Sequence, residues 1–203
     1  MKFSKREAET SVRARPLSVE DRQASIIDAV IPLLIVHGRA VTSKQIAEAA
    51  GIAEGTIFRA FGDKESLIEA AIAKFLDPEP LRRGLGLISA DLPLDDKVLR
   101  IVVLMQNRFS EIFQVMAAIG GPRQHAPNEQ HVFAEIISEV LAPQLSELNL
   151  PAARAAHVIR LVTFAASFPH LNLGMEFSSR ELANIVLYGI AGTPAIPTTE
   201  SQG

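Results

Sequence analysis

The tightest constraint on this chain is the spacing of small residues in "TSKQIAEAAGIAEGTIFRAFGD", residues 42 to 63, where Ala47, Gly51, Gly55 and Gly62 interrupt two short apolar patterns. Two helices can cross closely only where the first offers a small residue, here Ala47. The tight turn between them needs a residue that tolerates positive φ, here Gly51. Ile46, Ala50, Ile52, Ile57 and Ala60 fall where such helices bury one another, while Lys44, Gln45 and Glu48 fall outside. With Ser43 as the first helical residue the pattern is that of a helix-turn-helix; the alternative is an αα-hairpin within a helical core.

The flanks fit the same architecture. Ile27, Val30, Ile31 and Leu34 form an i, i+3, i+4, i+7 stripe ended by Gly38, which predicts a helix over 20–37 with a kink at Pro32, where an N–H is missing. Thr42 and Gln45 form a capping box for a second helix ending at Gly51, and a third helix follows from Glu54 to Phe61. Asp63 is an N-cap for a fourth helix that reaches Leu76 and stops at "DPEP". Beyond it, helices are predicted near 81–89, 95–118, 128–148, 152–168 and 178–189, with turn residues between them. No strand-like alternation occurs, so the fold class is all-α. The expected division is an arm over 1–18 and a head over 19–76, then a ligand-binding and dimerisation bundle over 77–191 and a tail over 192–203. Arm and tail have the composition of disordered segments.

A helix-turn-helix suggests double-stranded DNA as partner. Gly55 leaves the start of the third helix bare, so that a phosphate can approach its free amides, and Thr56 adds a hydroxyl. Arg59 is the strong base-reading candidate, suited to guanine O6 and N7; the alternative is a solvated charge or an ion pair with Glu54 or Glu65. Lys64 is placed to neutralise a phosphate from the flank. The chain as a whole carries a formal charge of −3, so a nucleic-acid face has to be local; residues 1 to 76 hold 11 Lys+Arg against 10 Asp+Glu, and the remainder 9 against 13.

The stretch "VTSKQIAEAAGIAEGTIFRAFGDKESLIEAAI" resembles the N-terminal domain of the TetR family of transcriptional regulators, whose signature reads broadly T-x-x-x-I-A-x-x-A-G-[VI]-[SA]-x-G-T-[LI]-[YF]-x-[HY]-F-x-[SD]-K-E-x-L. The resemblance covers about 50 residues. It implies a homodimer, a recognition helix from Glu54 to Phe61 and a helical C-terminal domain that binds a small molecule. It also marks Thr42, Ser43, Lys44, Glu54, Gly55, Thr56, Phe58, Arg59 and Lys64 as the DNA-binding set. Phe58 stands where the family most often has Tyr, and Ala60 where it often has His or another polar residue, so each lacks a phosphate donor. Affinity should then rest more on Thr42, Ser43, Lys44, Thr56, Lys64 and the basic arm with Lys2, Lys5, Arg6, Arg13 and Arg15. That arm can equally be a tail without a role.

In the second domain, helix 95–118 is apolar around most of its circumference, as central bundle helices are. Met105, Phe109, Phe113, Met116, Phe133 and Phe164 are candidates to line a cavity for an apolar effector, with Gln106, Asn107 or Arg108 as polar contacts; the alternative is a filled core. The resemblance places the dimer interface on the last two long helices, where Ile159, Val162, Leu182, Ile185 and Val186 are the candidates. The absence of cysteine excludes disulfides and thiolate metal sites and fits a cytoplasmic chain. The longest apolar run, "AVIPLLIV", is short of the ~20 residues of a membrane span, so no membrane partner is expected. No cofactor or metal is expected. The histidines are scattered, His131 and Glu135 alone are a weak metal signal, and there is no Gly-rich phosphate loop, G-x-S-x-G or HExxH, so the chain is not read as an enzyme. The expected function is a dimeric repressor released from a palindromic operator by an effector. The alternative is a helical small-molecule carrier or interaction module whose head no longer binds DNA.

Overall fold

The computed structural model describes residues 18–121 and 130–191, and within them every regular element is helical. The expected arm, apart from Ser18, the tail and the loop containing His125 lie outside the described residues. Helix α1 (Val19–His37) starts on Ser18, whose Oγ accepts the Asp21 N–H, and buries Ile26, Val30 and Leu34 at intervals of four. It continues as one helix through Pro32, which lies on its exposed face. By length and composition alone, Glu20–Ala40 is long and apolar enough to cross a membrane, a span that counting uninterrupted apolar residues does not reveal. In this fold its apolar face is used otherwise, against α2 (Ser43–Ala50), α3 (Glu54–Phe61) and α4 (Lys64–Leu76) in a first core containing Ile46, Ile57, Leu67 and Ile68.

A second core lies behind it. Helix α5 (Glu79–Gly86) leads to α6 (Leu94–Ala118), whose 25 residues span about 37 Å. Val98, Ile101, Val102 and Met105 of α6 pack in this core with Ile137 of α7 (Gln130–Leu141), Ile159 of α8 (Ala152–Ser167) and Val186 of α10 (Ser179–Ala191). The helix expected over 128–148 is thus shorter. The chain passes into a 3-10 turn at Ala142–Glu147, where Pro143 lacks the N–H that a continuing α-helix would use. A four-residue helix α9 (Pro169–Asn172) occupies the segment expected to be a plain break.

Helix α6 belongs to both cores. Its far end places Met116 and Ile119 among the buried residues of the first one, with Ile112 packed beside them. Polar contacts reinforce the junction: Arg39 Nε donates to the Ile119 carbonyl at 3.4 Å and its Nη2 meets Glu69 at 3.3 Å. Arg108 donates to the carbonyls of Phe75 and Asp77 and lies 4.9 Å over the Phe75 ring. Burial pushes the Arg108 pKa below the ordinary guanidinium value, against the opposing pull of Glu111 and Asp77. At Gly38 the chain passes close to the end of α6, and a Cβ there would sit 2.6 Å from the Ala118 carbonyl oxygen.

Candidate nucleic-acid interface

Local chemistry sets the geometry of α2 and α3 almost residue by residue. Thr42 Oγ1 accepts the Gln45 N–H at 3.2 Å, and Gln45 Oε1 accepts the Thr42 N–H at 2.8 Å, closing the capping box. Gly51 ends α2 in the left-handed conformation, φ 66° and ψ 33°, and the Ile52 N–H returns to the Ala47 carbonyl at 3.0 Å. Ala53 then opens α3 without any side-chain cap. Because Ala53 has no side-chain acceptor, its carbonyl takes the Thr56 N–H at 2.8 Å while the first amides of α3, on the exposed residues Glu54 and Gly55, are left without a side-chain cap. Open space surrounds the position where a Cβ on Gly55 would stand. A bare, partially positive helix end of eight residues with nothing in front of it suits a phosphate oxygen.

Most of the candidate side chains of α2 and α3 are open to solvent. Thr42, Lys44, Glu54, Phe58 and Arg59 are exposed, and Ser43 and Thr56 are half-buried. Arg59 is folded back along its own helix, Nε donating to the Gly55 carbonyl at 3.2 Å and Nη2 reaching Thr56 Oγ1 at 3.5 Å. Among the described residues it makes no ion pair; Glu65, one expected alternative partner, instead lies 3.5 Å from Lys64. Lys64 is partly withdrawn, its Nζ on the Arg39 carbonyl at 3.4 Å, so it ties the turn after α1 to the start of α4. Lys44 has only the weak 4.0 Å pair with Glu48. Phe58 presents a half-exposed ring, which offers no hydrogen bond but can meet a thymine methyl.

One residue on this surface was absent from the sequence reading. Arg22, in the first turn of α1, lines an open groove of 240 Å³ with Gln23, Thr56, Arg59 and Ala60, and Gln23 Nε2 holds the Ala60 carbonyl at 3.1 Å. Two arginines from separate helices therefore flank Thr56. The only signal in the sequence was a basic residue near a helix start, because the adjacency is made by the fold.

The candidate residues of the bundle lie in several different surroundings. Met105 is enclosed in the second core and Met116 in the first. Phe133 packs against the second core. Phe109 and Phe113 each stack edge-on to Phe164 with centroids 5.3 Å apart, and Phe164 is itself exposed. One open groove of 440 Å³ lies between α6 and the α8–α9 segment, lined by Phe113 together with Gln106, Ser110, Gln114, Glu176 and others. Of the expected interface residues, Ile159, Leu182 and Val186 point into the single chain and are fully covered there, Val162 is half-buried, and Ile185 is exposed. The outward apolar positions on α8 and α10 are Leu161, Phe164, Ile185 and Tyr188. Apolar periodicity locates the face a helix uses, and on these helices the stripe faces α6.

Comparison with known proteins agrees with this geometry. Residues 26–71 match the family described as bacterial regulatory proteins, tetR family. The uncharacterized HTH-type transcriptional regulator YvkB of Bacillus subtilis (strain 168) is 48% identical over 50 residues, 24% of this chain and 26% of that protein. The match thus spans about a quarter of the length of that relative. Among solved structures, a tetR-family transcriptional regulator from Streptomyces coelicolor aligns with TM-score 0.55 at 22% identity, over 85% of this chain and 80% of that one. NalD, the secondary repressor of the MexAB-OprM multidrug efflux pump in Pseudomonas aeruginosa, aligns with TM-score 0.52 at 16% identity, over 85% and 96%. At such identities the structural likeness speaks for the fold.

Proposed function

We infer that the chain, whose residues 26–71 match the tetR family of bacterial regulatory proteins, is a sequence-specific DNA-binding transcriptional regulator: a dimeric repressor that leaves a palindromic operator when a small molecule binds its bundle. The observation that carries this reading is the uncapped, unobstructed start of α3, with Thr56 and Arg59 beside it. Amides and hydroxyls there fix phosphates and Arg59 reads a base edge, with Arg22, Lys44 and Ser43 adding phosphate contacts from the flanks. On this reading Arg59 must leave its own helix backbone to reach the major groove, a rotamer change that an exposed side chain makes readily.

Dimerisation uses the outward faces of α8 and α10, with Leu161, Phe164, Ile185 and Tyr188 as the apolar contacts. A two-fold pair sets two copies of α3 on the order of 34 Å apart, one turn of DNA. Release follows if the effector prefers a spacing of the heads that does not fit, and α6, common to both cores, is the element that connects the two sites. NalD, a repressor of similar fold, supports the sign of regulation by analogy. A cytoplasmic location follows from the role.

Selection of bound duplexes from a random DNA pool at near-physiological salt tests the proposal. A roughly palindromic site is expected, and Arg59→Ala should cost about 1–3 kcal/mol on it and relax preference at one position per half-site. If a folded, dimeric protein enriches no sequence with or without candidate effectors, the carrier reading replaces this one.

A further inference from the structure

The 440 Å³ groove between α6 and the α8–α9 segment has a size within the range of small-molecule sites, and its lining is chemically one-sided. Phe113 and Phe177 supply aromatic surface, and Ser110 and Gln114 supply neutral polar groups from successive turns of α6. Gln106 is already committed, its amide donating to the Phe177 carbonyl at 2.8 Å and its Oε1 accepting the Ser179 hydroxyl at 2.6 Å, so it fixes the wall. The groove is lined by no lysine, arginine or histidine, and its one charged residue is Glu176. Among the described residues Glu176 has no ion-pair partner within 4.0 Å, and its side chain is exposed at the rim. An anion entering this space would meet a carboxylate and no compensating charge; a cation would meet a carboxylate and aromatic side chains.

We propose that this groove binds an organic cation with an aromatic or aliphatic body, its charge toward Glu176 and its body against Phe113 and Phe177. As the effector class of the regulator, this rests on the DNA-binding reading above; as a binding site it stands apart from it. The consequence for the head is direct, because α6 lines the groove with residues 106–117 and, over the same turns, places Ile112 and Met116 in the first core. A ligand wedged against Ser110 and Gln114 pushes on the helix that also seats the head.

Tetraphenylphosphonium and tetraphenylborate are matched in shape and opposite in charge, so titration calorimetry of the full chain with each, in the absence of DNA, isolates the charge preference. Tetraphenylphosphonium should bind and tetraphenylborate should not. Glu176→Gln, at an exposed position, should weaken the cation by roughly 1.4-fold to fivefold, the range of an exposed charge pair. Ser110→Trp, which fills the groove, should abolish binding while circular dichroism stays unchanged. No heat with the cation, equal binding of the borate, indifference to Glu176→Gln or survival in Ser110→Trp would each overturn the proposal. If the cation site passes these tests but no DNA sequence is selected, the site stands and the regulator reading alone falls.

Discussion

Thr42 and Pro93 begin helices by opposite means. At Thr42 two reciprocal hydrogen bonds fix the first turn of α2, and Gly51 and Asp63 then fix the end of one helix and the start of another by equally local chemistry. At Pro93, and again at Pro151, a long helix starts with no side-chain cap, and its position is determined by what it packs against. The short helices of the head, eight residues each for α2 and α3, would be marginal without the Thr42 capping box of α2 and the glycines that end both. The bundle helices of 25 and 16 residues hold through their apolar faces. Where hydrogen bonds between near neighbours set geometry, a residue's role can be read from its position; where packing sets it, only the existence of the element can.

The bundle side of that contrast is tested by the largest effect. Ile159→Ala removes a fully buried side chain from the second core and should cost about 2–5 kcal/mol in urea unfolding, whereas Leu161→Ala, two residues on and half-exposed, should leave the monomer almost unchanged. Leu161→Ala should instead raise the concentration at which dimers dissociate in sedimentation experiments. Equal losses of stability at low protein concentration would mean that the two faces of α8 were assigned wrongly.

Gly38 joins the two regions and gives the next largest effect. Its φ of 56° and ψ of −147° lie where side chains are strained, and an alanine Cβ would meet the Ala118 carbonyl. Gly38→Ala should therefore cost at least about 1–3 kcal/mol. Hydrogen exchange should rise together at the end of α1 and the end of α6. A loss confined to α1 would show that Gly38 acts only as a helix cap, the role its sequence position suggested.

The same contrast explains what was legible beforehand. All four head helices were readable, with the capping box, the Gly51 turn and the Asp63 cap, because each depends on residues at most five positions apart. The order of the bundle helices was readable too, since Pro and Gly mark their ends. Which face of α8 and α10 is outward was not, because their apolar residues form more than one stripe and only the helices packed on them, α6 and, for α8, α7, decide between them. Arg22 was missed for a related reason: α1 and α3 are neighbours only after folding. The Pro143 break in the segment after α7 was readable in principle from its missing N–H.

Two glycines of the head separate folding from the proposed function. Gly51→Ala places a Cβ in the left-handed region and should cost about 1–2 kcal/mol of stability. Gly55→Ala lies in an ordinary helical turn with open space around it, so it should leave stability unchanged or raise it by up to about 1 kcal/mol. Its methyl group would nevertheless stand where a phosphate must approach, and DNA affinity measured by fluorescence anisotropy should fall. A Gly55→Ala protein that bound DNA normally would remove the close-approach argument while leaving the turn intact.

The smallest effect is a pH dependence, and it tests whether cap chemistry behaves alike in both regions, since α10 is a bundle helix that carries a side-chain cap. Ser66 donates its N–H to Asp63 Oδ1 at 2.6 Å, and its backbone and then its side chain hold the Asp63 pKa below the ordinary carboxylate value. Ser178 does the same for Glu181, its hydroxyl at 2.7 Å and its N–H at 2.8 Å both reaching Oε2. In each case the fold favours the ionised form, so the contribution is complete above the ordinary carboxylate value and disappears as pH falls through the depressed one. Asp63→Asn and Glu181→Gln keep a polar cap without the charge. Each should lower Tm slightly near neutrality, and its difference from the unaltered chain should close between about pH 5 and 2. If the differences persist in acid, geometry rather than charge does the capping. If only the Asp63 difference closes, the α10 cap is redundant with packing, and the contrast between head and bundle extends even to the place where their local chemistry is the same.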